Sequence, residues 1–158
     1  MSNTQTIENL QKALQMEMTA AHQYQLHAHV LEDWGLDRLA EKMREEMTEE
    51  LGHSDRFIER IIFLGGTPDL GFDKSPVKAE SLVDMFKMDM DDEGEAIEFY
   101  TRASEQAREV SDIGTRRLFE DIVMDEEGHK EWLELQISLI ERIGEANYSA
   151  KYITPGAE

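Results

Sequence analysis

The stretch GGTPDLGFDKSPVKAE, residues 65–80, decides the fold. Three glycines and two prolines interrupt the helical pattern, and the segment is 16 residues long, far more than a helix hairpin needs. Extended, it could reach ~50 Å, while the helix before it, about 28 residues, would measure ~42 Å. Such a link can return along a whole helix and leave the helices on either side of it parallel.

Outward from the crossover, both sides read as helix. One helix is expected from about Thr6 to Asp33, ended by Gly35, and a second from Asp37 to about residue 64. A third should begin at Ser81, where Ser-x-x-Asp resembles a capping box, and run to about Val110. The fourth spans about 113–143, and a short amphipathic piece, about 145–152, precedes the polar tail TPGAE. No segment alternates in the strand pattern over a useful length. The expected fold is all-α: one domain over 1–158, a four-helix bundle with two short hairpins, one long crossover and a short fifth helix.

The composition excludes several classes. With no cysteine among 158 residues, disulfides, thiolate zinc sites, rubredoxin-type centres and iron–sulfur clusters are ruled out. A net charge of −19 disfavours nucleic acid, whose phosphates need clustered Lys and Arg, and favours cations. The opening MSNTQTIENL has neither the basic nor the apolar region of an export signal, and no apolar run approaches the ~20 residues that span a bilayer. A cytoplasmic protein without membrane contact is expected.

Two stretches carry the chemistry: EELGH, residues 49–53, and DEEGH, residues 125–129. Each holds Glu-x-x-His, as Glu50/His53 and Glu126/His129, 76 residues apart. Each is preceded, 33 residues earlier, by another glutamate, Glu17 or Glu93. The same shift maps Tyr24 onto Tyr100. Counted from the hairpin turns near Trp34 and Ser111, Glu17 and Glu50 lie 17 and 16 residues away, Glu93 and Glu126 18 and 15. All four glutamates should therefore meet at one level, mid-bundle.

An i, i+3 spacing puts Glu and His on one helix face, a turn apart. Four buried carboxylates without a cation would repel one another and lose hydration, at several kcal/mol per ion. Two divalent metals cancel the charge, and oxygen with imidazole donors suits iron or manganese, with zinc also able to bind. A lone Glu-x-x-His in a Glu-rich chain says little; the duplicated set at matched depth predicts a dinuclear site.

This set resembles that of the ferritin-like di-iron bundles. More narrowly, HQYQLHAHVLEDWGLDRLA, GHSDRFIERIIFLGGTPDL and DEEGHKEWLELQISLIERIGEANY resemble bacterioferritin segments in order and spacing, across nearly the whole chain. The resemblance implies a ferritin-like fold. It makes Glu17 and His53 terminal ligands of one iron, Glu93 and His129 of the other, and Glu50 and Glu126 the bridging carboxylates. It implies ferroxidase activity, Fe(II) being oxidised by O2 or H2O2, and storage of ferric mineral in a hollow 24-subunit shell with two irons per subunit. Such a shell, with −19 on every chain, would draw Fe(II) strongly. Tyr24 and Trp132 match aromatic positions beside the family's iron centre, either as second-layer partners or as packed core. Phe57 stands where the family commonly has tyrosine.

The sequence departs from the resemblance at Leu51. Haem-binding members usually have Met directly after the glutamate that corresponds to Glu50, and leucine has no lone pair to donate. Met47 is one turn earlier, where core filling is the expected use. Haem b is therefore not expected through this chain alone, leaving a homomeric shell or one mixed with a haem-binding bacterioferritin subunit. The alternative reading is a soluble di-iron or di-manganese redox enzyme, peroxidase- or catalase-like. A DNA-protecting mini-ferritin lacks support in motif and charge.

Other signals are weaker. Asp89, Asp91, Glu93 and Gly94 begin like a calcium loop, but Tyr100 occupies the place of its bidentate acid. Asp89, Asp92 and Glu95 are then expected on the helix surface. His22, His27 and His29 do not share one face and are expected as solvated or core-satisfied. Glu45 and Glu49 are read as an inner iron-transfer surface or an ordinary acidic face.

Overall fold

The structure, a computed structural model, describes residues 2–153. It contains α1 (Ser2–Asp33), α2 (Asp37–Phe63), α3 (Leu82–Glu109), α4 (Ile113–Ile143) and a short α5 (Glu145–Ala150). Among the described residues there is no strand. The first helix starts four residues before the expected Thr6, because Ser2 to Gln5 contain no breaker and the helix extends through them. Ser81 caps α3, its side chain accepting from the Asp84 N–H, so the helix proper opens at Leu82.

Side-chain pairs fix the helix directions. Asn9, near the start of α1, donates to Gln106 near the end of α3 (2.7 Å). Arg60, near the end of α2, bonds Asp112 (2.5 Å) and Thr115 (2.9 Å) at the start of α4. Hence α1 and α3 run antiparallel, as do α2 and α4, and the crossover traverses the bundle. The two hairpin turns use the same backbone device. Gly35 has φ +79° and Ser111 has φ +60°, both left-handed.

The crossover is held to α1 by a stripe of side chains four or eight residues apart. Gln11 donates to the Asp69 carbonyl (2.6 Å) and accepts from its N–H (2.9 Å). Thr19 accepts from the Asp73 N–H (2.9 Å). Gln23 donates to the Val77 carbonyl (2.8 Å) and accepts from its N–H (2.9 Å). The extended segment thus satisfies backbone groups that no sheet or helix pairs.

The apolar core comes in two parts. One cluster contains Leu31, Leu39, Met43, Phe86 and Leu133 and is closed by Tyr148 of α5, whose hydroxyl donates to Gln136 (2.7 Å). The other contains Leu10, Leu14, Phe57, Ile61, Phe119 and Ile122. Between them lies a buried polar layer: Glu17, Glu50, His53, Glu93, Glu126 and His129. Full burial of large side chains on both sides, each stabilising by roughly 1.5–3 kcal/mol, offsets the cost of that layer.

Candidate metal centre

Each helix brings one carboxylate to the layer from its midpoint. Glu17, Glu50, Glu93 and Glu126 are all at most 3% exposed. The histidines stand one turn after Glu50 and Glu126, on the same face. His53 Nδ1 lies 3.6 Å from Glu17, 3.7 Å from Glu50 and 3.0 Å from Glu126. His129 Nδ1 lies 3.5 Å from Glu93, 3.7 Å from Glu126 and 3.1 Å from Glu50. The two triplets repeat one geometry under the 76-residue shift. The imidazole rings lie 6.3 Å apart, 24° from parallel.

The donor atoms fall into two compact sets: Glu17, Glu50, His53 and Glu126, and Glu50, Glu93, Glu126 and His129. Within each, one donor atom per residue lies within 4.8 Å of all the others, and both sets contain Glu50 and Glu126. Many of these atoms have no hydrogen-bond partner: Glu17 Oε2, both Glu50 oxygens, Glu93 Oε2, Glu126 Oε1 and both histidine Nδ1 atoms. Buried polar groups are normally satisfied, so this orphaned cluster fits a cation pair.

Electrostatics agree. Burial and the neighbouring carboxylates push Glu50 and Glu126 well above the usual carboxylate range. Burial also works against Glu17, but the close approach of Glu50 and His53 outweighs it and holds its carboxyl low. Burial disfavours charge on His53, yet Glu17 and Asp125 draw it up to about 9. Against the same penalty, Glu46 and Glu93 draw His129 up to about 12. Without metal, protons on the histidines and on two carboxyls stand in for the missing positive charge.

Two tyrosines brace the terminal glutamates. Tyr24 of α1 donates to Glu93 of α3 (2.6 Å), and Tyr100 of α3 donates to Glu17 of α1 (2.8 Å). The sequence reading gave a role to Tyr24 alone, although the repeat already mapped it onto Tyr100. It assigned nothing to Asp125, and to Glu49 an inner iron-transfer surface or an ordinary acidic face. Asp125 lies 3.0 Å from His53 Nε2, and Glu49 lies 2.9 Å from His129 Nε2, so each half's leading acid serves the other half's histidine. The bond from His53 Nε2 to Asp125 leaves Nδ1 of the neutral ring with its lone pair toward the buried layer, whereas His129 Nε2 lies near its acids without a hydrogen bond to them. Glu46 also stands 2.9 Å from His129 Nε2. Its signal was its place one turn before Glu50.

Other expected residues lie elsewhere. Trp132 packs edge to face on Phe86 (5.8 Å) with Lys42 over its ring, and Lys42 pairs with Glu46. Phe57 is fully buried against Tyr100 and Phe119. Glu45 is exposed. Asp89 corrects the surface expectation: it is 3% exposed and bonds His27 Nδ1 (3.0 Å). Burial pushes its carboxyl up to about 6 despite that partner. The amide that Gln23 fixes on Val77 turns its Nε2 to His27 Nε2 (2.8 Å), so this imidazole carries its hydrogen on Nδ1. Asp92 and Glu95 instead meet Lys74 of the crossover.

The geometry has close counterparts. The ferritin-like domain model matches residues 7–143. Bacterioferritin of Rhodobacter capsulatus is 40% identical over 154 residues, covering 97% of this chain and 95% of that protein. The bacterial ferritin of Synechocystis is 38% identical over 144 residues, covering 90% and 92%. A solved structure of Rhodobacter capsulatus bacterioferritin has a metal-free dinuclear site and a haem iron on a crystallographic special position. It superposes with a TM-score of 0.94 at 39% identity, over 98% of this chain and 97% of that one. This chain belongs to the ferritin-like family and, within it, to the bacterioferritins.

Proposed function

We propose that this chain stores iron and oxidises Fe(II) at the buried layer, as a subunit of a cytoplasmic 24-membered shell. One observation carries the reading: two donor sets that share Glu50 and Glu126 while keeping one terminal glutamate and one histidine each. Glu17 and His53 would hold one iron, Glu93 and His129 the other, and Glu50 and Glu126 would bridge. Four carboxylates balance two divalent cations, so loading makes the layer neutral without protons.

Iron here is the substrate. Two Fe(II) ions give one electron each, the two electrons that, with two protons, reduce H2O2 to two waters. The protein's part is to hold both ions at once, keep Nδ1 of His53 free through Asp125, and fix the terminal carboxylates through the tyrosines. Apolar clusters on both sides limit water. Carrying −19 per chain, a shell of such subunits concentrates the cation.

Leu51 offers no thioether, and Met47 packs partly buried against the core. The homomeric protein is therefore expected to show no Soret band of bis-methionine ligation, and such a band would refute this. Anaerobic Fe(II) titration followed by an oxidant pulse tests the main reading. Saturation at two irons per chain with fast formation of an oxo-bridged ferric absorption supports it; no saturable binding overturns it. Size-exclusion chromatography tests the shell. A particle far smaller than 24 chains of 18.2 kDa would favour a soluble di-iron or di-manganese redox enzyme.

A further inference from the structure

The buried layer is flanked by two faces of the bundle, and they differ in charge. Between α1 and α3, beside the crossover, a cleft of about 30 Å³ reaches all four glutamates. That is room for one or two water-sized molecules. Met16, Ala20 and Ala96 give it apolar lining, and Asp73, Lys74, Asp92 and Glu95 stand among its polar residues. The Lys74 ammonium pairs with Asp92 (2.6 Å) and approaches Glu95 (3.7 Å). It occupies the position between two carboxylates that an incoming cation would take.

The approach between α2 and α4 is the reverse. Glu49 and Asp125, each 44% exposed at the side chain, stand over His129 and His53. Among the described residues, neither acid pairs with a lysine or arginine. A cation arriving there meets carboxylates that no lysine or arginine neutralises, and then the imidazoles they face.

We infer that the α1–α3 cleft is the port for the small neutral oxidant, H2O2 or O2, and that Lys74, latched to Asp92, keeps metal cations out of it. The inference rests on the dinuclear reading above. Division of the two routes lets oxidant reach a loaded centre without crossing the path of the metal. Lys74 comes from the crossover, whose backbone Thr19 fastens at Asp73, so the latch has a fixed base beside a flexible four-carbon stem.

The test uses the full-length assembled protein, with Co(II) as a redox-inert probe of metal entry and H2O2 as the oxidant. Ala20 is only partly buried, so Ala20→Leu fills the cleft with little disturbance of the core. It should slow oxidation of preloaded Fe(II) by about tenfold while the rate of Co(II) binding stays unchanged. Lys74→Ala should speed Co(II) binding by about tenfold, because the mouth then carries unpaired acids. Unchanged oxidation in Ala20→Leu overturns the port, and so does an equal fall in the Co(II) rate, which would make the cleft the metal's own route. Unchanged Co(II) entry in Lys74→Ala overturns the latch. Failure of the wild-type protein to bind Co(II) at all would instead defeat the dinuclear reading.

Discussion

The α1–α2 hairpin and the α3–α4 hairpin repeat one another at the buried layer and part company away from it. Tyr24 and Tyr100, Glu17 and Glu93, Glu49 and Asp125, Glu50 and Glu126, and His53 and His129 are all 76 residues apart. Even the left-handed turn residues, Gly35 and Ser111, obey the shift. Glu46 breaks it, because the matching residue in the second half is Ile122, buried in the apolar core. His129 therefore faces two outer carboxylates where His53 faces one. Burial opposes charge on both rings; Glu46 and Glu93 draw His129 up to about 12, and Glu17 and Asp125 draw His53 up to about 9. A duplicated scaffold thus supplies equivalent donors, while a single unshared acid makes the two halves electrostatically unequal.

The strongest way to break the comparison is to remove what the halves share. Glu126→Ala takes a donor from both sets, and rapid-mixing oxidation should lose its fast phase entirely. An undiminished rate would mean that the donors are misassigned. Glu17→Ala, which touches one set only, should leave one tight metal per chain by Co(II) titration. Next come the outer acids. Asp125→Ala and Glu49→Ala should each weaken metal binding by about 10–100-fold. The loss should be greater for Asp125, since His129 keeps Glu46 when Glu49 is gone. Equal losses in competition titrations would mean that Glu46 plays no part in the inequality.

The pH dependence sharpens the same point. His53 and His129 have folded-state pKa values above the unfolded 6.5, and Glu50 and Glu126 sit well above 4.5. In every case the folded chain holds the extra proton, so the stability these groups give is present at low pH and shrinks as pH rises. For His53 the loss falls between about 6.5 and about 9. The metal-free protein should accordingly melt lower at pH 9 than at pH 7 in calorimetry. Loading with zinc should remove most of that slope and release protons to an indicator dye. The smallest effect expected is at the turns. Ser111→Gly relieves a left-handed serine and should add about 0.5–1 kcal/mol, whereas Gly35→Ser should cost a similar amount. Denaturant midpoints would show both.

Much of this was legible before any coordinates. Crossover length, turn glycines and two Glu-x-x-His stretches at a fixed interval lead to the bundle and to the six inward side chains, because helix periodicity turns spacing directly into position. What escaped was contact between helices. Asp125 drew no reading and Glu49 only that of an iron-transfer surface or an ordinary acidic face, since only packing of α2 against α4 brings each beside the other half's histidine. Asp89 looked like one more member of an acidic run. Its burial depends on His27 arriving from α1, which no spacing within α3 announces. The amide stripe of Gln11, Thr19 and Gln23 was likewise hidden, since its partners are peptide groups and leave no trace in residue identity.

That stripe has a consequence for how the outer strap can change. Because α1 grips main-chain atoms at positions 69, 73 and 77, this part of the fastening needs only their N–H and carbonyl groups, although the Asp69 carboxylate also accepts from the Gly71 N–H and Asp73 pairs with Lys12. Proline is the one substitution the fastening forbids there. Exposed strap positions outside the fastening, such as Leu70 and Ser75, are free to drift, and the rods beneath would keep their register.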